Sequence, residues 1–299
     1  MQPEDVLIVG AGPAGISAAI QLQRSRVPFT LLEKDRVGGL LWNANLVENY
    51  PGFPNGITGP RLAGLFEKHM RRAGVPVNFD RVLQVSQIGD ELLVTTEQTS
   101  YQPRYMIVAT GTKPRPIPIS IPEEFQDRIL SVVHPLLDLR DQQIVVVGAG
   151  DAAFDYALNL AKYNKVSILH RQSQTHCLPL LLERAAVCEH IIIHDCTAVE
   201  RVKAARSRGK LLVEVQHSTS FSEMECDYLV YAIGRVPQLD MLSPSLLAER
   251  SKFAHLPRVH LVGDVINGYL RQTAIAAGDG LRAAMRIYHE ISRKESQIL

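Results

Sequence analysis

The chain has 299 residues, enough for about two domains of ordinary size, and its 46% hydrophobic and 21% charged residues are those of a globular protein. A net charge of +1 argues against a mainly electrostatic partner such as nucleic acid, and no apolar run reaches the roughly 18 residues that span a bilayer. The first residues lack a basic stretch before an apolar core, so no signal peptide is expected and the expected location is cytoplasmic.

In chain order, the first signal is the run Val6-Leu7-Ile8-Val9, fully apolar and ending directly in glycine. It predicts a buried parallel strand. The turn Gly10-Ala11-Gly12-Pro13-Ala14-Gly15 follows, then a helix over residues 16–24. Gly10 permits the tight turn, Gly12 lets backbone approach a pyrophosphate, and Gly15 permits close helix–strand packing. The next strand, Phe29-Thr30-Leu31-Leu32, ends at Glu33, 18 residues beyond Gly15, where a ribose hydroxyl needs an acceptor. Val108-Ala109-Thr110-Gly111 is the downstream partner of this cassette, and the proline-rich run from Lys113 to Pro118 reads as a linker.

The same cassette then recurs. Ile144-Val145-Val146-Val147 leads into Gly148-Ala149-Gly150-Asp151-Ala152-Ala153, with alanine in the third glycine slot. The following strand, Val166-Ser167-Ile168-Leu169, ends in His170-Arg171 rather than an acid. A cation there fits a 2′-phosphate and favours NADPH over NADH. Tyr231-Ala232-Ile233-Gly234 partners this second turn. Two dinucleotide sites in one chain imply electrons passing between bound cofactors.

Four cysteines, Cys177, Cys188, Cys196 and Cys226, include no Cys-x-x-Cys. A Cys188–Cys196 or Cys177–Cys188 redox pair is conceivable beside the second nucleotide site, although cysteine is also a common buried residue without chemistry. No His and Cys residues fall at metal-ligand spacing.

Gly10–Gly15, Glu33, Gly38-Gly39, the stretch Val47-Glu48-Asn49-Tyr50-Pro51-Gly52-Phe53-Pro54, and Gly263-Asp264-Val265 followed by Arg271-Gln272 resemble low-molecular-weight thioredoxin reductases over essentially the whole chain. The resemblance implies an FAD site drawn from Gly10, Gly12, Pro13, Ala14, Gly15, Glu33, Lys34, Gly39, Leu40, Asn49, Val82, Ala109, Thr110, Gly111, Gly263, Asp264, Arg271, Gln272 and Thr273. Asp264 would accept hydrogen bonds from the ribityl chain, Asn49 would lie beside the isoalloxazine, and Val82 would meet adenine. The helix starting near Thr273 would aim its amides at the pyrimidine end of the flavin. The second dinucleotide would lie on Gly148, Gly150, Asp151, Ala152, Ala153, His170, Arg171, His176, Ile233 and Gly234. A homodimer is likewise implied.

The chain departs from that family in three places. Ser131-Val132-Val133-His134 stands where the family carries its Cys-x-x-Cys, so the usual dithiol route is chemically excluded. Leu40 stands where the family usually has glutamine. The family's phosphate clamp, His-Arg-Arg-x-x-x-Arg, reads His170-Arg171-Gln172-Ser173-Gln174-Thr175-His176 here. The stretch His134-Pro135-Leu136-Leu137-Asp138-Leu139, followed by Gly150-Asp151-Ala152-Ala153-Phe154-Asp155-Tyr156-Ala157-Leu158, resembles thioredoxin-reductase-type ferredoxin–NADP reductases, which lack Cys-x-x-Cys too.

The expected fold is α/β, with two Rossmann-like domains, the second inserted into the first. Residues 1–112 and 238–299 form the FAD domain, and 113–237 form the second dinucleotide domain. Four activities fit: an FAD-dependent, NADPH-linked oxidoreductase with an unidentified acceptor; a ferredoxin or flavodoxin reductase with a positive docking patch at Lys113 and Arg115; a disulfide oxidoreductase with a second FAD in the NADPH-like site; and a flavin redox sensor. A small redox protein or a disulfide would be the partner.

Overall fold

Short apolar runs that stop at glycine form the central strands, because a strand covered on both faces has no use for alternating polar residues. The computed structural model describes residues 2–89, 91–207, 209–248 and 258–298, and the chain divides into two compact units. One comprises 1–42, 48–113 and 236–299; the other comprises 43–47 and 114–235.

The first unit holds a seven-stranded sheet in the order Asn78–Phe79, Phe29–Glu33, Gln2–Val9, Ser100–Val108, Glu91–Thr96, Val82–Ile88, with Val259–Leu261 paired to the end of Ser100–Val108. The pairs among the first four strands and with Val259–Leu261 are parallel; Val82–Ile88 and Glu91–Thr96 form an antiparallel meander. Register sets Val9 against both Leu32 and Val108, and Val108 against Leu261. The carboxyl ends of four strands therefore lie in one row, at the end where such sheets bind ligands. Alternation along Val6–Val9 fills both faces. Val6 and Ile8 pack with Ala18, Ala19 and Leu22 of helix Pro13–Arg24 and with Ala284 and Ile287 of helix Thr273–Ile298, while Leu7 and Val9 pack with Leu239, Leu242 and Leu246.

The second unit repeats the plan with a five-stranded parallel sheet, in the order Ile191–His194, Lys165–Leu169, Gln143–Val147, Tyr228–Tyr231, Ile129–Leu130. Helix Asp151–Leu160 covers one face through Phe154, Ala157 and Leu160. A three-stranded antiparallel sheet, Thr197–Ala204, Leu211–His217 and Ser220–Cys226, covers the other through Leu211, Val213 and Val215. These are two nested dinucleotide-binding domains, as the repeated cassette implied.

Two details differ from the sequence reading. The first helix begins at Pro13, not at residue 16, because proline's fixed φ suits the first helical position and its missing N–H costs nothing there. Residues 43–47, inside the stretch expected for the first domain, belong to the second unit. Polar side chains hold them there: Asn43 Oδ1 accepts the N–H groups of Val133 and His134, both at 3.0 Å, and Asn45 N–H donates to Asp155 Oδ2 at 2.8 Å. Among the described residues no helix is long and apolar enough to cross a membrane.

Candidate functional site

In the first unit the glycine turn is shaped by what a side chain would strike. Gly10 has φ +104°, and a Cβ on it would lie 2.5 Å from the Ala109 carbonyl oxygen; a Cβ on Gly15 would lie 1.8 Å from the Gly10 oxygen. At Gly12 nothing lies within 4 Å of that position. Two glycines are thus required by protein packing, while Gly12 leaves an open approach to the start of helix Pro13–Arg24. That helix has no side-chain cap, which leaves its first amides available to a phosphate.

Glu33 is buried at 9% exposure, and its carboxylate is already engaged. Oε2 accepts Ala11 N–H at 2.7 Å and Oε1 accepts Asp35 N–H at 3.0 Å. The acid chosen by spacing as a ribose partner therefore also braces the glycine turn, and each oxygen keeps lone-pair capacity for a hydroxyl. Lys34 next to it is exposed. Gly39 faces the turn, since a Cβ there would come within 3.3 Å of Gly12 Cα, and Leu40 beside it is half-buried. Trp42 donates its indole N–H to Val37 O at 2.8 Å under the Arg36 guanidinium, a packing role.

On the other side of the row, Thr110 Oγ1 donates to Gln238 O at 2.7 Å and Gln238 N–H donates to Gly111 O at 3.0 Å, closing the chain beside Ala109. Asn49 and Gln272, 223 residues apart, meet through Nδ2–H and Oε1 at 2.9 Å. The Gln272 carbonyl accepts Ala276 N–H at the first turn of helix Thr273–Ile298. Gly263 and Asp264 lie in the short helical turn Gly263–Val265, ahead of Arg271. Val82 is half-buried at the start of its strand. These residues fit FAD: an unblocked cradle at Gly12, uncapped helix amides for the pyrophosphate, and an acid with spare acceptor capacity at the end of the second strand.

The second unit builds a similar turn. A Cβ on Gly148 would lie 2.4 Å from the Ala232 oxygen and 3.0 Å from Ala153 Cβ, whereas nothing lies within 4 Å of such a position on Gly150. Ala153 is fully buried, and Ala152 is exposed. The helix starting at Asp151 has no side-chain cap on its own amides. Asp151 Oδ1 instead accepts Leu178 N–H at 2.8 Å, and His176 N–H donates to Ala149 O at 2.8 Å, so the loop 170–178 is tied back to the glycine turn. Arg171 and His176 are exposed, and the His176 ring meets Gln172 Oε1 at 2.7 Å.

His170 is different. It is 4% exposed, with its backbone paired to His194 O and Thr197 N–H, so the fold encloses it rather than presenting it with Arg171. Ile233 is half-buried, and Gly234, at φ +105°, lies under Arg115, whose N–H donates to the Gly234 oxygen at 3.1 Å.

Neither of the cysteine pairs left open by the sequence is formed. All four thiols are free. Cys177 and Cys188 pack with the apolar core, and Cys196 sits in a left-handed turn at φ +47° with its N–H on Gln172 O at 3.2 Å. Cys226 is fully buried, and burial pushes its thiol up to about 12, with Asp227 adding to the effect, so it is no thiolate at neutral pH. Where the family dithiol would stand, the amides of Val133 and His134 are capped by Asn43. Among the described residues no cluster could hold a metal ion. Lys113, expected in a docking patch, is paired with Asp240.

Sequence reasoning missed Asn43, Asp155 and Lys162. Burial raises Asp155 from 3.8 to about 6, against the opposing N–H groups of Asn45 and Leu46 and the Lys162 charge; Asp151 adds slightly to the rise. Lys162 donates to Asn45 Oδ1 at 2.6 Å, and burial lowers its own pKa. The contacts that place them span 90 to 117 residues of sequence, beyond the reach of any local spacing.

Two glycine cradles at the carboxyl ends of two parallel sheets define a two-dinucleotide α/β oxidoreductase. Residues 4–280 match the family model described as pyridine nucleotide-disulphide oxidoreductase, and the chain belongs to that family. It is 30% identical to a 34.2 kDa protein in the rubredoxin operon of Clostridium pasteurianum, over 94% of this chain and 95% of that one. It is 28% identical to the thioredoxin reductase of Mycolicibacterium smegmatis, over 94% of each. The crystal structure of Lactococcus lactis thioredoxin reductase superposes with a TM-score of 0.86 at 26% identity, covering 97% of this chain and 99% of that one. The protein is thus an FAD-dependent oxidoreductase of the thioredoxin reductase-like type.

Proposed function

We propose that the chain moves electrons between NADPH at the second cassette and FAD in the first unit, and exchanges them with an acceptor outside the chain without an internal dithiol. The observation that carries this reading is the capped turn at 131–134: serine, two valines and histidine stand there, with two amides fixed on Asn43. FAD, when bound, supplies the two-electron redox chemistry. The protein's part is to bind and orient. Gly12 and the amides after it receive the pyrophosphate, Glu33 receives the ribose, and Asp264 receives the ribityl hydroxyls. The start of helix Thr273–Ile298, steadied by Asn49 on Gln272, places its positive end by the pyrimidine ring.

In the second cassette, Gly150 and the helix amides receive the pyrophosphate of NADPH. Arg171 and His176 take the 2′-phosphate, and enclosed His170 positions the loop rather than touching the ligand. Arg171 is the one guanidinium in the eroded clamp, so Arg171→Ala should raise the KM for NADPH about tenfold with kcat little changed and the KM for NADH unmoved. Equal KM changes for both nucleotides would reject that assignment.

The acceptor is a small redox protein or a disulfide-bearing partner. The ferredoxin-reductase reading loses part of its docking patch, since Lys113 is neutralised by Asp240. A second FAD in the NADPH-like site gains no support from the relatives, so one FAD per chain is the expected content on extraction; two would overturn the NADPH assignment. Leu281, Met285 and Tyr288 are partly exposed along one face of the last helix, an apolar surface suited to a second copy in a homodimer.

A further inference from the structure

We propose that Asp279 is a positioning residue for the flavin site, fixing the turn that carries Asp264. The inference rests on reading Asp264 as an FAD contact. Asp279 lies in helix Thr273–Ile298, and its side chain is 12% exposed. Oδ2 accepts the Gly263 N–H at 3.3 Å and the Asn267 side-chain N–H at 2.7 Å. Oδ1 pairs with Arg282. The two donors on Oδ2 bracket Asp264 in sequence, so one carboxylate oxygen pins both ends of the segment that presents it. Hydrogen bonds to a carboxylate are stronger than those to a neutral acceptor, which suits a turn whose position the Asp264 contact depends on.

The turn is closed from its remaining sides. Ile266 and Asn267 donate their N–H groups to the Gly263 oxygen at 3.0 and 3.3 Å. Gly263 takes φ +73°, and a Cβ there would lie 3.0 Å from Ala14 Cβ and 3.3 Å from Ala276 Cβ. The residue after Asp279 completes the arrangement. A Cβ on Gly280 would lie 1.9 Å from the Ala14 oxygen, so this helix meets the start of helix Pro13–Arg24 at backbone distance. Asp279 and Gly280 thereby bring together the pyrophosphate turn, the Asp264 turn and the helix that begins after Gln272. Asp279 is the polar tie between the last helix and the Asp264 turn, and Gly280 supplies the close approach to Ala14.

The test is an FAD titration of the flavin-stripped full chain by fluorescence, on the wild type, Asp264→Ala, Asp279→Ala, the double variant, Asp279→Asn and Asn267→Ala. Asp279→Ala should weaken FAD about tenfold, and Asp279→Asn, which keeps an acceptor oxygen, should recover part of that. If Asp279 acts by placing Asp264, the double variant should bind FAD no more weakly than Asp264→Ala alone. Losses that multiply in the double variant, or wild-type affinity in Asp279→Ala, would overturn the proposal. Wild-type affinity in Asp264→Ala would instead overturn the flavin-contact reading beneath it. Should Asp279→Ala fail to fold, Asn267→Ala serves the same cycle, with a smaller loss expected to vanish in the Asp264→Ala background and a multiplying loss again contradicting the proposal.

Discussion

Asp155 carries the clearest pH signature among the residues of the second unit. Its carboxyl rises from 3.8 to about 6 because burial disfavours the charged form more than the Asn45 and Leu46 amides and Lys162 favour it. A raised acid pKa stabilises the folded state where the group is protonated. Its contribution is therefore full below about pH 4 and lost as pH rises through about 6, an effect on the order of 3 kcal/mol. Denaturant unfolding from pH 4 to 7 should show the wild type losing stability relative to Asp155→Asn over that range. A constant difference between the two proteins would contradict the assignment. Sequence spacing found Glu33 because an acid at the end of the second strand is part of a local pattern. It did not reveal the amide pair on Glu33, the enclosure of His170 or the role of Asp155, each of which depends on contacts between distant segments.

At the scale of elements, glycine is the most readable signal, and the structure gives each one a separate reason. Gly10, Gly15 and Gly148 are held by backbone oxygens, while Gly12 and Gly150 face open space. Gly280 was not part of any motif, yet its restraint is as tight. Two effects compete in Gly280→Ala. Helix propensity gains about 1 kcal/mol, whereas overpacking against a carbonyl that cannot yield costs about 1–3 kcal/mol or more. At 1.9 Å the clash wins, so Tm should fall by several degrees, and an unchanged or raised Tm would show that the helices separate freely. The buried strands were legible because both faces are covered and the residues are uniformly apolar. The meander Val82–Ile88 and Glu91–Thr96 and the helix Gly59–Arg72 carried no such mark, since exposed residues interrupt their apolar pattern and distant neighbours set their packing.

For the whole molecule, the repeated cassette announced the nested architecture, and the two parallel sheets follow it. The segment 43–47 escaped notice because nothing in its composition distinguishes it from the chain on either side; its contacts, those of Asn43 and Asn45 among them, assign it to the second unit. The family is equally plain, while Ser131, Val132, Val133 and His134 contain no sulfur and the four cysteines are free. On the proposed reading FAD is a single two-electron store, with no dithiol beside it. Anaerobic titration of the purified holoprotein with NADPH, followed by flavin absorbance, tests this directly. Complete bleaching at about one equivalent of NADPH per FAD is the predicted result. An end point near two equivalents would reveal a second store such as a disulfide, and a flavin that NADPH cannot bleach would remove the nucleotide from the second cassette; either would contradict the account.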